Sequence, residues 1–212
     1  DKLIYFPNST ESFYKVEKPN NRYRKLMPKG FKIIFAGNIG EAQSFETIIK
    51  SALYLKKNKK NINWIILGDG RQKNKIQLRI QKLGINDSFF FLGSFPTKEM
   101  PLFFSHADAL LVTLKKSKIF SLTIPNKIQS YMACCKPIIG SIDGEGKNVI
   151  VNSKCGYVSP SEDHILLSKS IIKLMNLSIS ERKIMGLNGK KYFEENFERE
   201  KQLDRLLSIL NE

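Results

Sequence analysis

The chain has 212 residues, enough for one domain with its own core, and 42% of them are hydrophobic, as is ordinary for a globular protein. No run of about 18 apolar residues occurs, so the sequence encodes no transmembrane helix. The formal net charge of +15 indicates either an anionic partner or simply many solvated lysines, and the second is favoured because no nucleic-acid motif with interleaved aromatic residues is present.

The first thirty residues are polar and irregular. Within them, LIYFPN at 3–8 is a candidate short strand, and 23–30 is a predicted loop. The chain begins at Asp1 without an initiator methionine or a signal peptide, so we expect it to be part of a longer protein.

From residue 31 onwards, short apolar runs alternate with stretches of helical periodicity. Strands are predicted at 31–36, 63–67, 89–92, 109–113, 137–140 and 157–158. Helices are predicted at 45–57, 72–83, 96–105, 126–136, 161–175, 180–193 and 198–210. This alternation predicts an α/β fold: a Rossmann-like open parallel sheet with helices on both faces.

Three successive predicted strands end in glycine-bearing turns, at Gly37, Gly68 and Gly93. The first turn continues through Asn38 to Gly40 and then leads into a helix, whose N-terminus can receive a phosphate group. A tight turn between strand and helix, without any ligand, is the structural alternative.

The stretch from Ile124 to Glu145 predicts a loop, a helix, a turn, a buried strand and a second loop. Asn126 is the predicted N-cap, and Lys136-Pro137 ends the helix because the residue before proline avoids the α region. Ligands bind at the carboxyl ends of strands in an open α/β sheet. Four polar side chains are therefore expected at one crevice suited to an anionic, hydroxyl-rich ligand: Lys127, Ser130, Asp143 and Glu145.

The cysteines and histidines do not follow a metal-binding pattern. Cys134 and Cys135 are adjacent and, with Cys155, make an odd count, which favours a reduced cytosolic compartment and a packing role. His106 and His164 do not stand at the spacing of metal ligands.

The order of these turns, together with the central stretch, resembles the C-terminal domain of GT-B glycosyltransferases of family 4, the glycosyl transferases group 1. The resemblance covers essentially the whole chain, and its motifs are FAGNIGEAQSFETIIKSA, ILGDGRQKNKI, FFFLGSFPTKEMPLFFSHADALLVT, IPNKIQSYMACCKPIIGS and CGYVSPSED.

The opening YFPNSTESFYKV is similar to the segment that joins the two domains of this family. The resemblance therefore assigns residues 1–30 to an inter-domain segment with its lead-in, and 31–212 to a nucleotide-sugar-binding domain. GNIGEAQSFET, IPNKIQSYMA and SIDGEG are similar to the bacterial branch that transfers amino-deoxy sugars, such as N-acetylfucosamine, during surface-polysaccharide assembly.

The resemblance implies a nucleotide-diphosphate sugar donor, with uridine as the expected base, and transfer that retains the anomeric configuration without a metal. A glycan or polyprenyl-phosphate-linked acceptor would be held by an N-terminal domain that this chain lacks. We further expect a cytoplasmic protein, with a peripheral contact on the inner face of the membrane and no nucleic-acid partner. The resemblance assigns no catalytic side chain.

The sequence departs from the family at two places. Asn38 and Ser44 stand near the positions where many members carry an arginine and a lysine that grip the diphosphate. Leu122 and Ser130 fall where many members carry two glutamates. Lys127 is then the candidate replacement for the missing cation, and Glu145 for a missing carboxylate.

Twelve donor-binding candidates follow from the turns, the central stretch and the resemblance: Gly37, Asn38, Gly40, Lys73, Gly93, Ser94, Phe95, Lys127, Ser130, Asp143, Gly144 and Glu145. The alternative for Lys127 is a solvent-facing surface lysine. The alternative for Ser130 is a hydrogen bond from its hydroxyl to the backbone of its own helix. The alternative for Glu145 is a solvated carboxylate on a loop.

Two other functions stay open at this point. One is a basic nucleic-acid or phosphate-binding module without catalysis. The other is a sugar-nucleotide 2-epimerase, which shares the GT-B arrangement but fits the central motif less well.

Overall fold

A computed structural model describes residues 6–210, and these form one six-stranded, wholly parallel sheet. In chain order the strands are β1 (Lys32–Ala36), β2 (Asn63–Leu67), β3 (Phe89–Gly93), β4 (Ala109–Thr113), β5 (Ile138–Ser141) and β6 (Gly156–Ser159). The α/β fold and its parallel sheet are confirmed, because each predicted strand is present within one or two residues of its expected bounds.

The strand order across the sheet is β3-β2-β1-β4-β5-β6. The chain therefore builds outwards from β1 to β3, returns, and builds outwards again from β4 to β6. β1 pairs with both inner neighbours, with Ile33 opposite Trp64 on one side and Ala109 on the other. In an open sheet of this kind, ligands usually bind near such a reversal of strand order, beyond the carboxyl ends of the strands.

Ten helices surround the sheet in the part of the chain described. They are α1 (Asn21–Arg24), α2 (Phe45–Lys57), α3 (Lys73–Lys82), α4 (Met100–Ser105), α5 (Lys118–Ser121), α6 (Asn126–Ala133), α7 (Gly144–Asn152), α8 (His164–Met175), α9 (Ile179–Asn196) and α10 (Arg199–Leu210).

Both faces of the sheet are buried, because successive strand side chains point to opposite sides. Ile34 of β1 packs on the face covered by α4, α6 and α7, and its neighbour Phe35 packs on the face covered by α2, α3 and α8. The strands are accordingly apolar on both sides, and the helices leave only the ends of the sheet open to a ligand.

The N-terminal residues pack on the first of these faces rather than standing apart from it. Tyr23 is buried against the edge of the Phe103 ring, with 4.7 Å between ring centroids, and its hydroxyl donates to Glu99 at 2.7 Å. The predicted strand at 3–8 lies partly outside the described residues, and 6–8 form no strand.

Three local predictions were wrong. Asn126 is the first residue of α6 and Pro125 is its N-cap: the ring fixes φ of Pro125 at −59°, and its ψ of 128° keeps it outside the helix. Two helices, α5 and α7, lie where loops were expected.

No helix among residues 6–210 is both long and apolar enough to cross a membrane.

Candidate functional site

A cavity of about 520 Å³ opens above the carboxyl ends of β1, β2 and β3. Its walls are the turns that follow these strands, the first turn of α6 and a short part of the N-terminal segment. The residues that line it are Glu11, Tyr14, Ala36, Gly37, Asn38, Leu67, Gly68, Asp69, Ser94, Phe95, Thr97, Met100, Phe104, Asn126, Lys127, Ser130 and Tyr131. We call this cavity the strand-end cleft.

The floor of the cleft is formed by two turns bonded to each other. The amide of Gly37 donates to the Leu67 carbonyl at 2.9 Å, and the amide of Ile39 donates to the Asp69 backbone carbonyl at 2.7 Å. Gly68, with φ of +131°, lies so close to Gly37 that any Cβ would overlap the Gly37 carbonyl oxygen. This close approach fixes the relative position of the two turns that form the floor of the cleft.

Lys127 brings a positive charge into the cleft. It is the second residue of α6, and its Nζ lies 4.3 Å from the centroid of the Phe35 ring and donates to Gln43 Oε1 at 3.1 Å. Burial lowers the pKa of Lys127 to about 8. No carboxylate forms an ion pair with it among residues 6–210, and its ammonium lies inside the cleft rather than on the open surface.

The N-terminus of α6 adds to this positive potential. No side chain caps the helix, and no acidic residue stands in its first turn. The first amides of a helix lack partners within the helix and carry the positive end of its dipole. Asn126 and Lys127 line the cleft, so amide groups and an ammonium converge where an anion can bind.

Ser130, one turn further along α6, already has hydrogen-bond partners. Its hydroxyl lies 2.8 Å from Thr10 Oγ1 and donates weakly to the Asn126 carbonyl at 3.3 Å. It also hydrogen bonds to Tyr14. The Ser130 hydroxyl therefore makes the predicted hydrogen bond to its own helix and also contacts the N-terminal segment.

Asp69 and Lys73 pair at the turn after β2. Lys73 Nζ lies 3.4 Å from Asp69 Oδ2, and the Gly70 amide donates to Asp69 Oδ1 at 2.8 Å. The Gly70 amide and then Lys73 lower the pKa of Asp69. Lys73 itself does not line the cleft. Its ammonium forms an ion pair with Asp69, which does.

The turn after β3 gives the cleft an aromatic side. Ser94 and Phe95 line it, and the Phe95 ring packs against Phe103 with 4.5 Å between centroids. Gly93, with φ of +84°, directly precedes them and turns the chain without lining the cavity.

The structure brings six of the twelve candidate residues into the lining of the cleft: Gly37, Asn38, Ser94, Phe95, Lys127 and Ser130. Gly40 instead lines a groove of about 900 Å³ between α2 and α3. That groove is larger, but it lies beside the first turn rather than above the strand ends, and the ammonium of Lys127 does not reach into it.

Asp143, Gly144 and Glu145 do not come to the cleft, because the expected loop is the start of α7 and winds away from it. Asp143 accepts from the Ser161 amide at 3.3 Å, and Glu145 accepts from Asn148 at 3.2 Å. Glu145 lines a separate cavity against α9 and α10, so the expectation that it joins Lys127 and Ser130 at one crevice was wrong.

Eleven of the seventeen lining residues were not among the candidates, and four of these eleven carry ionisable side chains: Glu11, Tyr14, Asp69 and Tyr131. Asp69 lies two residues after the end of β2, and that position was a usable signal. Tyr131 lies on the apolar face of α6, where its hydroxyl accepts from the Ala36 amide at 3.3 Å. Nothing local in the sequence marks Glu11 or Tyr14. Among residues 6–210 no three His, Cys, Asp or Glu side chains cluster as metal ligands would.

Comparison with known families places this cleft in context. The sequence model described as "Glycosyl transferases group 1" matches residues 17–192, which is most of the chain. The chain belongs to this family. Its GT-B fold, with six parallel strands and helices on both faces, is the one shared by the solved structures that it resembles.

Two curated relatives share shorter stretches with this family member. It is 25% identical over 97 residues to a 2-deoxystreptamine glucosyltransferase of Streptomyces kanamyceticus, which is 46% of this chain and 25% of that protein. It is 32% identical over 77 residues to an uncharacterised glycosyltransferase of Methanocaldococcus jannaschii, which is 36% of this chain and 19% of that one.

Solved structures show the same fold at low identity. Anabaena HepE, crystallised with UDP and glucose, matches with a TM-score of 0.72 at 14% identity, over 86% of this chain and 48% of HepE. Sucrose-phosphate synthase of Thermosynechococcus elongatus matches at 0.77 and 16%, over 97% of this chain and 51% of the synthase. The chain thus spans about half of these two proteins and a quarter or less of the curated relatives.

Proposed function

We propose that this chain is the donor-binding part of a retaining glycosyltransferase. Its substrate is a nucleotide-diphosphate sugar with uridine as the base, and the strand-end cleft holds the nucleotide. The sugar passes to a glycan or lipid-linked acceptor in surface-polysaccharide biosynthesis, and a further domain of the full-length protein holds that acceptor.

The observation that carries this proposal is the Lys127 ammonium, which has no anionic partner among the described residues. A desolvated charge is costly, and a bound phosphate offsets that cost. The uncapped N-terminus of α6 lies at the same place. The UDP in the HepE structure supports a uridine nucleotide as the ligand of this fold.

The same groups suit the chemistry of sugar transfer. When the bond between the sugar and the diphosphate breaks, negative charge increases on the departing diphosphate. Lys127 and the amides of α6 stand ready to stabilise that charge, which is a contribution to the transition state as well as to binding. Because these groups supply the positive charge, we expect the reaction to need no metal ion.

The finer features of the proposal concern the sugar and the cell. We infer an amino-deoxy sugar of the N-acetylfucosamine type, supported by GNIGEAQSFET and IPNKIQSYMA in the first turn and the central helix. We infer a cytoplasmic site of action at the inner face of the membrane. The three free cysteines support a reducing compartment.

Calorimetric titration against UDP, GDP, ADP and inorganic phosphate tests the proposal. We expect UDP to bind more tightly than the other nucleotides and much more tightly than phosphate. If no nucleotide exceeds phosphate, the donor-binding function is wrong. Adding a chelator leaves the UDP affinity unchanged if no metal takes part.

A second titration separates this proposal from binding to nucleic acid. A basic surface that binds DNA loses affinity steeply as salt rises, because bound counterions are released. We expect no specific shift in the electrophoretic mobility of DNA at physiological salt. A strong DNA shift without nucleotide binding would instead favour the nucleic-acid alternative.

A further inference from the structure

The N-terminal strap, which we define as residues 7–17, forms one wall of the strand-end cleft. We propose that Glu11 on this strap accepts hydrogen bonds from the ribose hydroxyls of the bound nucleotide and so helps to determine which ligand is held. This inference rests on the proposed function of the cleft and adds a residue from outside the sheet to it.

The strap is fastened to α6 by two hydrogen bonds and to α4 by an aromatic contact. Gln129 Nε2 donates to the Asn8 carbonyl at 2.8 Å, and Thr10 Oγ1 lies 2.8 Å from Ser130 Oγ. The Tyr14 ring stacks on Phe104 with 6.4 Å between centroids and 12° between planes. Thr10 is 5% exposed, so this part of the strap is built into the domain rather than lying loosely on it.

Glu11 projects into the cleft from this fastened strap. The backbone of the strap turns there, with the Tyr14 amide donating to the Glu11 carbonyl at 3.1 Å. Its carboxylate accepts only a long hydrogen bond of 3.3 Å from Thr10 among the described residues. Two carboxylate oxygens offer about four acceptor sites, so Glu11 retains most of its capacity for a ligand.

The other carboxylate of the cleft is already engaged. Asp69, the second carboxylate in the lining, accepts from the Gly70 amide and pairs with Lys73. The Ser130 hydroxyl is shared with Thr10. Of the two carboxylates in the lining, Glu11 therefore keeps the greater capacity to accept hydrogen bonds from the hydroxyl groups of a ligand.

The position of the strap also fits a ribose rather than a phosphate. Ser130, which anchors the strap, follows Lys127 by three residues, which is roughly 4.5 Å along the helix axis. A ribose is joined through its 5′ carbon to the diphosphate, so with a phosphate at Lys127 we place the ribose on the neighbouring Ser130 side of the cleft, beside the strap. A carboxylate repels phosphate oxygens but accepts hydrogen bonds from hydroxyl groups.

The test compares UDP with 2′,3′-dideoxyuridine diphosphate, which lacks both ribose hydroxyls. We expect the wild-type chain to bind UDP about ten- to a hundredfold more tightly than the dideoxy compound. Glu11→Ala should lose most of that preference by weakening UDP binding and leaving dideoxy-nucleotide binding unchanged. Glu11→Gln should retain part of it, because its amide oxygen still accepts a hydrogen bond.

Glu17→Ala is the matched control. Glu17 lies on the same strap and pairs with Lys15 at 3.8 Å, outside the cleft, so its removal changes the net charge equally. If Glu11→Ala behaves like Glu17→Ala, or weakens both nucleotides equally, the assignment to Glu11 is wrong while the donor-binding function stands. If the wild-type chain binds UDP no better than phosphate, both proposals are wrong.

Discussion

At the scale of single residues, Lys127 is the feature that relates burial to function. Its Nζ lies over the Phe35 ring and, among the described residues, donates a hydrogen bond only to Gln43 Oε1, an uncharged partner. The fold therefore holds a cation that it does not neutralise. The alternative interpretation, a solvent-facing surface lysine, was wrong, because the side chain of Lys127 lies in the cleft.

The first prediction concerns the affinity for nucleotides. Lys127→Ala should weaken UDP binding by about ten- to a hundredfold, since a charge-assisted hydrogen bond contributes about 1.5–3 kcal/mol. Lys127→Arg should restore only part of it, because a planar guanidinium does not replace a compact ammonium. Calorimetric titration measures both.

Lys82→Ala is the control for a general loss of positive charge. Lys82 is exposed at the end of α3 and lines the α2–α3 groove instead of the cleft. Equal losses of affinity in the Lys82 and Lys127 variants would show that the basic surface, rather than a specific contact, binds the ligand.

The second prediction concerns pH and binding. The pKa of Lys127 is lowered to about 8 by burial, so in the free protein the side chain loses its charge as the pH rises through that value. We expect UDP affinity to fall above about pH 8 in the wild-type chain. Lys127→Met should show a flatter dependence between pH 7 and 9.5, when both are titrated in the same buffers.

The third prediction concerns pH and stability. The pKa of Lys127 is about 8 in the folded chain and 10.5 ordinarily, so the unfolded chain binds the proton more tightly. The cost of burying the charge is thus fully present below pH 8 and is relieved between pH 8 and 10.5.

Thermal melting without ligand measures this effect. Lys127→Met should melt above the wild-type chain at pH 7, and the difference should shrink as the pH approaches 10.5. A melting temperature for Lys127→Met well below that of the wild-type chain at pH 7 would contradict this, and would show that the ammonium stabilises the free fold.

At the scale of elements, the cleft depends on how closely the turns after β1 and β2 approach each other. Gly68 is the point of closest contact, and its positive φ is a conformation that other residues rarely adopt. Two hydrogen bonds, donated by the amides of Gly37 and Ile39, hold the two turns together.

The fourth prediction is that Gly68→Ala destabilises the chain by more than about 3 kcal/mol, since its Cβ would overlap the Gly37 carbonyl and force the turns apart. Gly84→Ala is the matched control. Gly84 also has a positive φ, of +64°, but open space surrounds it, so the cost there should be about 1–2 kcal/mol. Urea unfolding of both variants measures the difference, and equal costs would show that the contact at Gly68 relaxes freely.

At the scale of the whole molecule, the described residues form one sheet with one face packed on α4, α6 and α7 and the other on α2, α3 and α8. The cleft lies at one end of this sheet. A donor bound there still needs an acceptor placed against its sugar, and positioning of that kind contributes many kcal/mol to a transfer reaction.

The fifth prediction follows from that geometry. We expect the 212-residue chain to fold and bind UDP by itself, but not to transfer sugar, because proteins of this fold such as HepE are about twice as long. Incubation with a labelled UDP-sugar and candidate acceptors, with the full-length protein as the positive control, measures turnover. Robust transfer by the 212-residue chain would overturn the expectation.

The sequence by itself determined the α/β fold and the strands, because each buried strand is a continuous apolar run closed by a turn residue. It also determined that Lys127 starts a helix beside a strand end. These are local properties of short stretches, and the same local rules predicted α2 at its observed bounds.

Only the tertiary structure decided which polar residues meet. Glu145 follows Lys127 by 18 residues, yet α7 places it in another cavity. Gly144, Glu145 and Gly146 form the first turn of α7, and two glycines in three residues do not predict a helix start. Glu11 lies more than a hundred residues before Ser130, and a few contacts of the strap with α6 and α4 bring it into the cleft. Helix starts rich in glycine have weak local propensity, and contacts between distant segments depend on the packing of the whole chain.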